Sequence, residues 1–193
     1  RRNRARRDIS PVTTLLAERG VTGPLAVIEH ERGLRGVFPK GDIQETLSAG
    51  FPDRSYIMRS NVKVYPCLAT GQAAVAAALE VHKSLGGNVD GVRDVEIVMA
   101  DYPFVRDQQD DPDRIRPRSR EAADHSFQYL VAVALMDGAF GPAQFDGERW
   151  LDPRTVALMA KMRTCVDATR NVRAPNTYPC VVLVRDEKGC EHV

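Results

Sequence analysis

A lysine just before a proline-containing turn is the side chain in this sequence best suited to bind an anion. Lys63 precedes Tyr65 and Pro66, and the alternation of residues 56–64 predicts a strand that ends near this lysine. Because proline restricts the direction of the turn, the ammonium group can be aimed into a cleft and hold a carboxylate there. The alternative is an ordinary solvated lysine at the end of a strand.

Three further candidates lie in the first half of a long helix predicted over about residues 119–137. His125 and Tyr129 are four residues apart, so on a helix they would share a face. His125 could be an acid or a pH-sensitive contact, or it could brace the helix start. Tyr129 could donate its hydroxyl to a carboxylate or pack with a satisfied polar tip. Ser126 is a weaker binding candidate that could instead bond back to the helix.

Gln72 opens a second predicted helix, from about Gly71 to Leu85, which two glycines then end. A side chain at a helix N-terminus lies where carboxylates bind well. The alanine-rich face of this helix, within residues 73–78, would let another element pack very closely.

The remaining elements must place these side chains. The pattern predicts a strand over residues 92–102, a charged loop over residues 106–118 and a helix after Asp152-Pro153. It then predicts strands at residues 165–166 and 179–184, and a turn over residues 186–189 that leads into a last strand. This mixture predicts an α+β fold: a mixed or antiparallel sheet of four to five strands with two long helices packed on one face.

Composition excludes several classes of function. The 193 residues carry a net charge of only +1, which argues against binding nucleic acid or an anionic membrane through bulk charge. No apolar run approaches the roughly 20 residues of a membrane helix. The four cysteines and four histidines have no metal-ligand spacing. Cys180 and Cys190 could face each other across a hairpin, but four reduced thiols, typical of the cytoplasm, are favoured.

Three segments in series carry a resemblance to a known family. They are residues 16–24, LAERGVTGP, with Ile28-Glu29 and Gly33 behind them; residues 63–67, KVYPC, followed by QAAVAAAL at 72–79; and residues 118–129, RSREAADHSFQY, running into AVALMDG at 132–138. In this order and spacing they resemble the MmgE/PrpD family, which includes 2-methylcitrate dehydratase, cis-aconitate decarboxylase and iminodisuccinate epimerase. The third segment is most similar to the dehydratase branch.

The resemblance implies the organisation of the chain. Residues 1–50 would be the end of a helical domain and a linker, and residues 51–193 would be an α+β lid domain. The chain begins without Met, and both ends are interpreted as cut from a longer protein. The catalytic Asp and His residues of the family's helical domain would then be missing, so this piece alone is expected to be inactive.

The resemblance also implies chemistry. Family members abstract a proton next to a carboxylate of a di- or tricarboxylic acid, and the dehydratase branch then loses water. Lys63 matches the lysine of the family's K-x-[YF]-P motif, Tyr129 matches a tyrosine near the substrate, and Gln72 matches a glutamine of the dehydratases. Neither a metal nor an organic cofactor is implied. A cytoplasmic homodimer acting in propionate metabolism is expected.

Two positions qualify the comparison. Some members carry Cys, His or Glu two places after the motif's proline, where this chain has Leu68, so the exact substrate and the choice between dehydration, decarboxylation and epimerisation stay open. Arg6 or Arg7 would correspond to a basic residue at the end of the helical domain. The alternative from another class is a non-catalytic dimerisation or ligand-binding module that kept the lid fold.

Overall fold

The chain divides into two compact units, Arg1–Arg59 and Ser60–Val193. The computed structural model describes residues 9–20, 62–172 and 177–193. In the first unit the described residues form helix α1, Ile9–Glu18. The predicted domain boundary lies earlier, between residues 50 and 51, and the assignment of the two parts to a helical domain and a lid stays a prediction. Residues 56–61, Arg6 and Arg7 lie outside the described residues.

The second unit has the predicted α+β architecture. Its helices are α2 (Gln72–Ser84), α3 (Pro103–Gln109), α4 (Pro112–Ile115), α5 (Arg120–Ala123), α6 (Phe127–Asp137) and α7 (Pro153–Met159). Its strands are β1 (Val92–Ala100), β2 (Met162–Asp167), β3 (Cys180–Asp186) and β4 (Glu191–His192). Short 3-10 segments cover Ala69–Gly71, Pro142–Leu151 and Ala168–Arg170. No helix in the described ranges is both long and apolar enough to cross a membrane.

The four strands form one mixed sheet in the order β2-β1-β3-β4. β1 pairs in parallel with β2, and β3 pairs antiparallel with both β1 and β4. The parallel pair requires a crossover, and helices α3 to α7 lie in that connection. The strand predicted over residues 92–102 is confirmed over residues 92–100, and its side chains alternate: Val95, Ile97 and Met99 are buried, while Glu96 and Val98 between them are only partly buried.

The core lies between this sheet and the two longest described helices of the unit. α2 packs against α6 and β3, and α6 also contacts β2. Small residues allow α2 to pack closely against its neighbours, since Ala74 and Ala78 on α2 are fully buried. Just before α2, an added Cβ on Gly71 would lie 2.6 Å from Cδ2 of Leu68 and 2.7 Å from Cδ1 of Leu130 on α6, so an alanine there would require both leucine side chains to shift.

The helix predicted over residues 119–137 is two helices, and the prediction of one continuous element is wrong. Ser119 caps α5 by accepting from the Ala122 N–H, and Ser126 caps α6 by accepting from the Tyr129 N–H. Each serine competes for backbone groups and so favours a new helix start. Residues 124–126, called the break segment below, therefore lie between the helices, and His125 does not share a helix face with Tyr129.

One other prediction needs correction, and one alternative is excluded. Residues 106–118, predicted as a loop, contain the end of α3 and all of α4. Both helices begin at a proline, Pro103 and Pro112. Cys180 and Cys190 do not face each other, because β4 pairs with the C-terminal end of β3 whereas Cys180 begins that strand. All four cysteines are free, as the sequence favoured.

Candidate functional site

Lys63 is exposed in a loop, residues 62–68, called the lysine loop below, whose last two residues are buried. The prediction that Lys63 ends a strand is wrong for the described residues, since 62–64 are not part of any strand. The loop turns sharply at Tyr65 and Pro66, where the Cys67 N–H donates to the Tyr65 carbonyl at 2.8 Å. The Leu68 N–H donates to the Asp124 carbonyl at 3.0 Å, which joins the loop to the break segment.

The side chain of Gln72 holds the lysine loop from inside. Its Oε1 accepts from the backbone N–H groups of Val64 and Tyr65, each at 3.0 Å. Its Nε2 donates to the Tyr65 carbonyl at 3.0 Å and lies within 3.4 Å of the carbonyls of Cys67 and Leu68. Gln72 opens α2 as predicted, and its amide group faces the loop backbone.

His125 is exposed in the break segment and is paired with its neighbour. Its Nδ1 contacts the Asp124 carboxylate and lies 3.1 Å from the Glu121 carbonyl. Because both groups only accept hydrogen bonds, Nδ1 carries the proton, and Nε2 of the neutral ring is an acceptor. An aspartate that orients a histidine in this way is the arrangement that general acid–base catalysis uses.

Two cavities adjoin Lys63. The first has a volume of about 460 Å³ and is lined by Lys63, Gln72, Ala73, Tyr178 and Pro179, among others. The second has a volume of about 440 Å³, and Lys63, Cys67, Asp124, His125 and Pro142 are among its lining residues. Both volumes lie in the range typical of small-molecule sites. Within the described residues, no carboxylate forms a salt bridge with Lys63.

Cys67 lines the second cavity but is a poor nucleophile. Burial raises the pKa of its thiol to about 12, and the nearby charge of Lys63 offsets this only in part. Its Sγ donates weakly to the Leu68 carbonyl at 3.6 Å and accepts from Gln72 Nε2 at 3.2 Å. The thiol is therefore protonated at neutral pH and serves as part of the loop packing.

Ser126 and Tyr129 lie inside the fold. Ser126 is fully buried, and its hydroxyl accepts from the Tyr129 N–H at 3.1 Å. Tyr129 is also fully buried, and its hydroxyl donates to the carbonyl of Gln144. Burial raises the pKa of Tyr129 to about 12. Neither residue is among those lining the two cavities beside Lys63, and a substrate role for them stays a prediction.

Two residues near Lys63 were not predicted from the sequence. Asp124 orients His125, and the Asp-His pair in the sequence could have indicated this. Tyr178 lies in a small aromatic group, with its ring centroid 5.5 Å from that of Phe104 and 6.3 Å from that of Tyr102. Tyr178 reaches the first cavity only because residues far apart in sequence fold together, so no local pattern could have revealed it. The described part of the chain contains no cluster of three or more His, Cys, Asp or Glu able to hold a metal.

Comparison with protein families agrees with the resemblance. The family model of the MmgE/PrpD C-terminal domain matches residues 65–193, about two thirds of the chain. The chain belongs to the MmgE/PrpD family. The match includes Gln72 and the break segment of this MmgE/PrpD domain, and it begins two residues after Lys63. No curated protein matches the chain significantly.

Proposed function

We propose that this chain is the lid portion of a MmgE/PrpD hydro-lyase, similar to 2-methylcitrate dehydratase, that acts on a tricarboxylic acid. One observation carries the proposal: the exposed cation of Lys63 adjoins both cavities, and the second cavity also contains the His125–Asp124 pair. A cation beside a histidine able to exchange a proton suits a substrate with several carboxylates and a leaving hydroxyl.

In this proposal Lys63 binds a substrate carboxylate and stabilises the negative charge that develops when the adjacent C–H bond is broken. The electron pair of that bond forms the new double bond as the C–O bond breaks. When its ring is protonated, His125 gives the Nε2 proton to the departing hydroxyl, which leaves as water. The base that takes the carbon-bound proton belongs, by the family resemblance, to the helical domain.

The first cavity supports binding of a partly apolar substrate. Tyr178 and Pro179 provide an apolar wall beside Lys63 and Gln72. A methyl or methylene group could pack there while a carboxylate pairs with Lys63. Decarboxylation and epimerisation would use the same cation, so product analysis of an active family member containing this lid must decide among the three reactions.

Titration calorimetry with a series of ligands tests the proposed substrate class. Citrate and tricarballylate should bind the chain, the trimethyl ester of tricarballylate should not, and added salt should weaken binding. Equal affinity for the acid and its ester would reject a carboxylate site. Binding without turnover under any assembly would favour the non-catalytic ligand-binding module instead.

We also propose, from family membership, a cytoplasmic homodimer. Sedimentation equilibrium of the purified chain tests the dimer, and a monomer at every concentration would reject it for this chain.

A further inference from the structure

The amide group of Gln72 has no capacity left for a ligand. A carboxamide offers two acceptor lone pairs and two N–H donors. Two backbone N–H groups of the lysine loop occupy Oε1, and Nε2 has three backbone carbonyls and the Cys67 sulfur within 3.4 Å. The orientation of the amide is fixed, because rotating it by 180° would place donors against the N–H groups of Val64 and Tyr65.

The contacts begin immediately after Lys63. The Val64 N–H that donates to Gln72 Oε1 belongs to the peptide bond that joins Lys63 to Val64. Gln72 itself is anchored at the first residue of α2, a helix of 13 residues packed into the core. A rigid helix is thus connected through one side chain to the backbone that carries the exposed cation.

We propose that Gln72 is a positioning residue that aims Lys63 by fixing the lysine loop, and that it does not contact substrate. The inference rests on the proposed function for its link to carboxylate binding. It replaces the direct substrate role that the sequence predicts for Gln72. A short loop that is free to move would lose conformational entropy on binding the ligand, whereas a loop fixed by Gln72 has already lost that entropy on folding.

A double-mutant cycle separates positioning from direct contact. Gln72→Ala should weaken citrate binding about five-fold in the wild-type background and have almost no effect in the Lys63→Ala background. Gln108→Ala is the matched control, because its amide oxygen accepts from the hydroxyl of Thr70, near Gln72 in the chain, whereas the side-chain hydrogen bonds that hold the lysine loop come from Gln72. An equal loss from Gln72→Ala in both backgrounds would overturn the proposal, since Gln72 would then act independently of Lys63.

Hydrogen exchange gives a second readout that needs no ligand. The Val64 and Tyr65 amides should lose protection from exchange in Gln72→Ala and keep it in Gln108→Ala. In Gln72→Glu they should keep part of this protection, because the carboxylate still accepts hydrogen bonds. If Gln72→Ala does not fold, Gln72→Met preserves side-chain length without the hydrogen bonds. Unchanged protection in the folded variant would overturn the proposal. If Lys63→Ala leaves citrate affinity unchanged, the proposed function fails while hydrogen exchange still decides whether Gln72 fixes the loop.

Discussion

At the scale of single residues, the polar side chains of the candidate site fall into two groups. Ser126, Tyr129 and Gln72 have their hydrogen-bonding groups occupied by the protein itself. Lys63 is exposed, and the Nε2 of His125 is the ring nitrogen not turned toward Asp124. Because a substrate must compete with any existing partner, we propose a binding role only for the second group.

Tyr129→Phe should lower stability and leave ligand binding intact. The substitution leaves the Gln144 carbonyl without its donor, and we expect the free energy of unfolding to fall by about 1–2 kcal/mol. The citrate dissociation constant should change by less than about two-fold, a shift too small for a lost charge-assisted contact. Urea unfolding and calorimetry check the two values, and a ten-fold weaker affinity in a folded variant would restore Tyr129 to the binding site.

The raised pKa of Tyr129 also predicts a loss of stability in alkali. The unfolded tyrosine loses its proton near pH 10, whereas the buried one keeps it until about pH 12. The unfolded state therefore binds fewer protons over this interval, and stability declines as the pH rises through it, by up to about 1.4 kcal/mol per pH unit. Urea unfolding at about pH 9 and about pH 11 should show a smaller decline in Tyr129→Phe than in the wild type. Equal declines would mean that Tyr129 is not buried as described.

At the scale of elements, the break between α5 and α6 determines where His125 lies. A continuous helix would place His125 one turn before Tyr129, on the side that faces the core. The second cap at Ser126 instead leaves His125 exposed beside the lysine loop, to which the Asp124 carbonyl is bonded. The two separately capped helices therefore leave His125 exposed, whereas one continuous helix would turn it toward the core.

Local sequence signals predicted much of this fold. The Asp152-Pro153 start of α7, the alternation of β1 and the start of α2 at Gln72 all follow from rules that act within one turn or strand. The break segment was not predicted, because the continuous apolar pattern of α6 favoured one long helix over a new helix start at Ser126. The approach of Tyr178 to Lys63 depends on the order of strands in the sheet, which no local pattern encodes.

The end of α6 offers a stability test at this scale. Gly138 has φ of +63°, and an added side chain would lie 2.6 Å from Cδ2 of His82. His82 cannot easily move, because its Nδ1 lies 2.7 Å from the Leu135 carbonyl and bonds to it. Gly138→Ala should therefore destabilise the protein by about 3 kcal/mol, combining left-handed strain with steric overlap.

Gly147→Ala is the control for that overlap. Gly147 has a similar φ of +61° but no atom within 4 Å of an added side chain, so about 1 kcal/mol of strain alone is expected. Urea denaturation of both variants measures the difference. Equal losses would show that the His82 contact contributes nothing.

At the scale of the whole molecule, the described unit supplies a cation and a candidate acid but no assigned base. We therefore expect this chain alone to bind citrate without dehydrating citrate or 2-methylcitrate. Absorbance of the unsaturated product and mass spectrometry of the reaction mixture check this. Turnover well above background, lost in His125→Gln, would show that the base lies within these 193 residues.

The citrate affinity of Lys63→Ala is the most direct test of whether Lys63 binds a substrate carboxylate. We expect the dissociation constant to rise about ten-fold or more, equivalent to about 1.4 kcal/mol, with the melting temperature almost unchanged. Lys63→Arg should restore binding only in part, because the planar guanidinium cannot occupy the same point. Lys188→Ala removes an exposed lysine from the turn between β3 and β4 and should bind citrate as the wild type does. Wild-type affinity in Lys63→Ala would contradict carboxylate binding by Lys63.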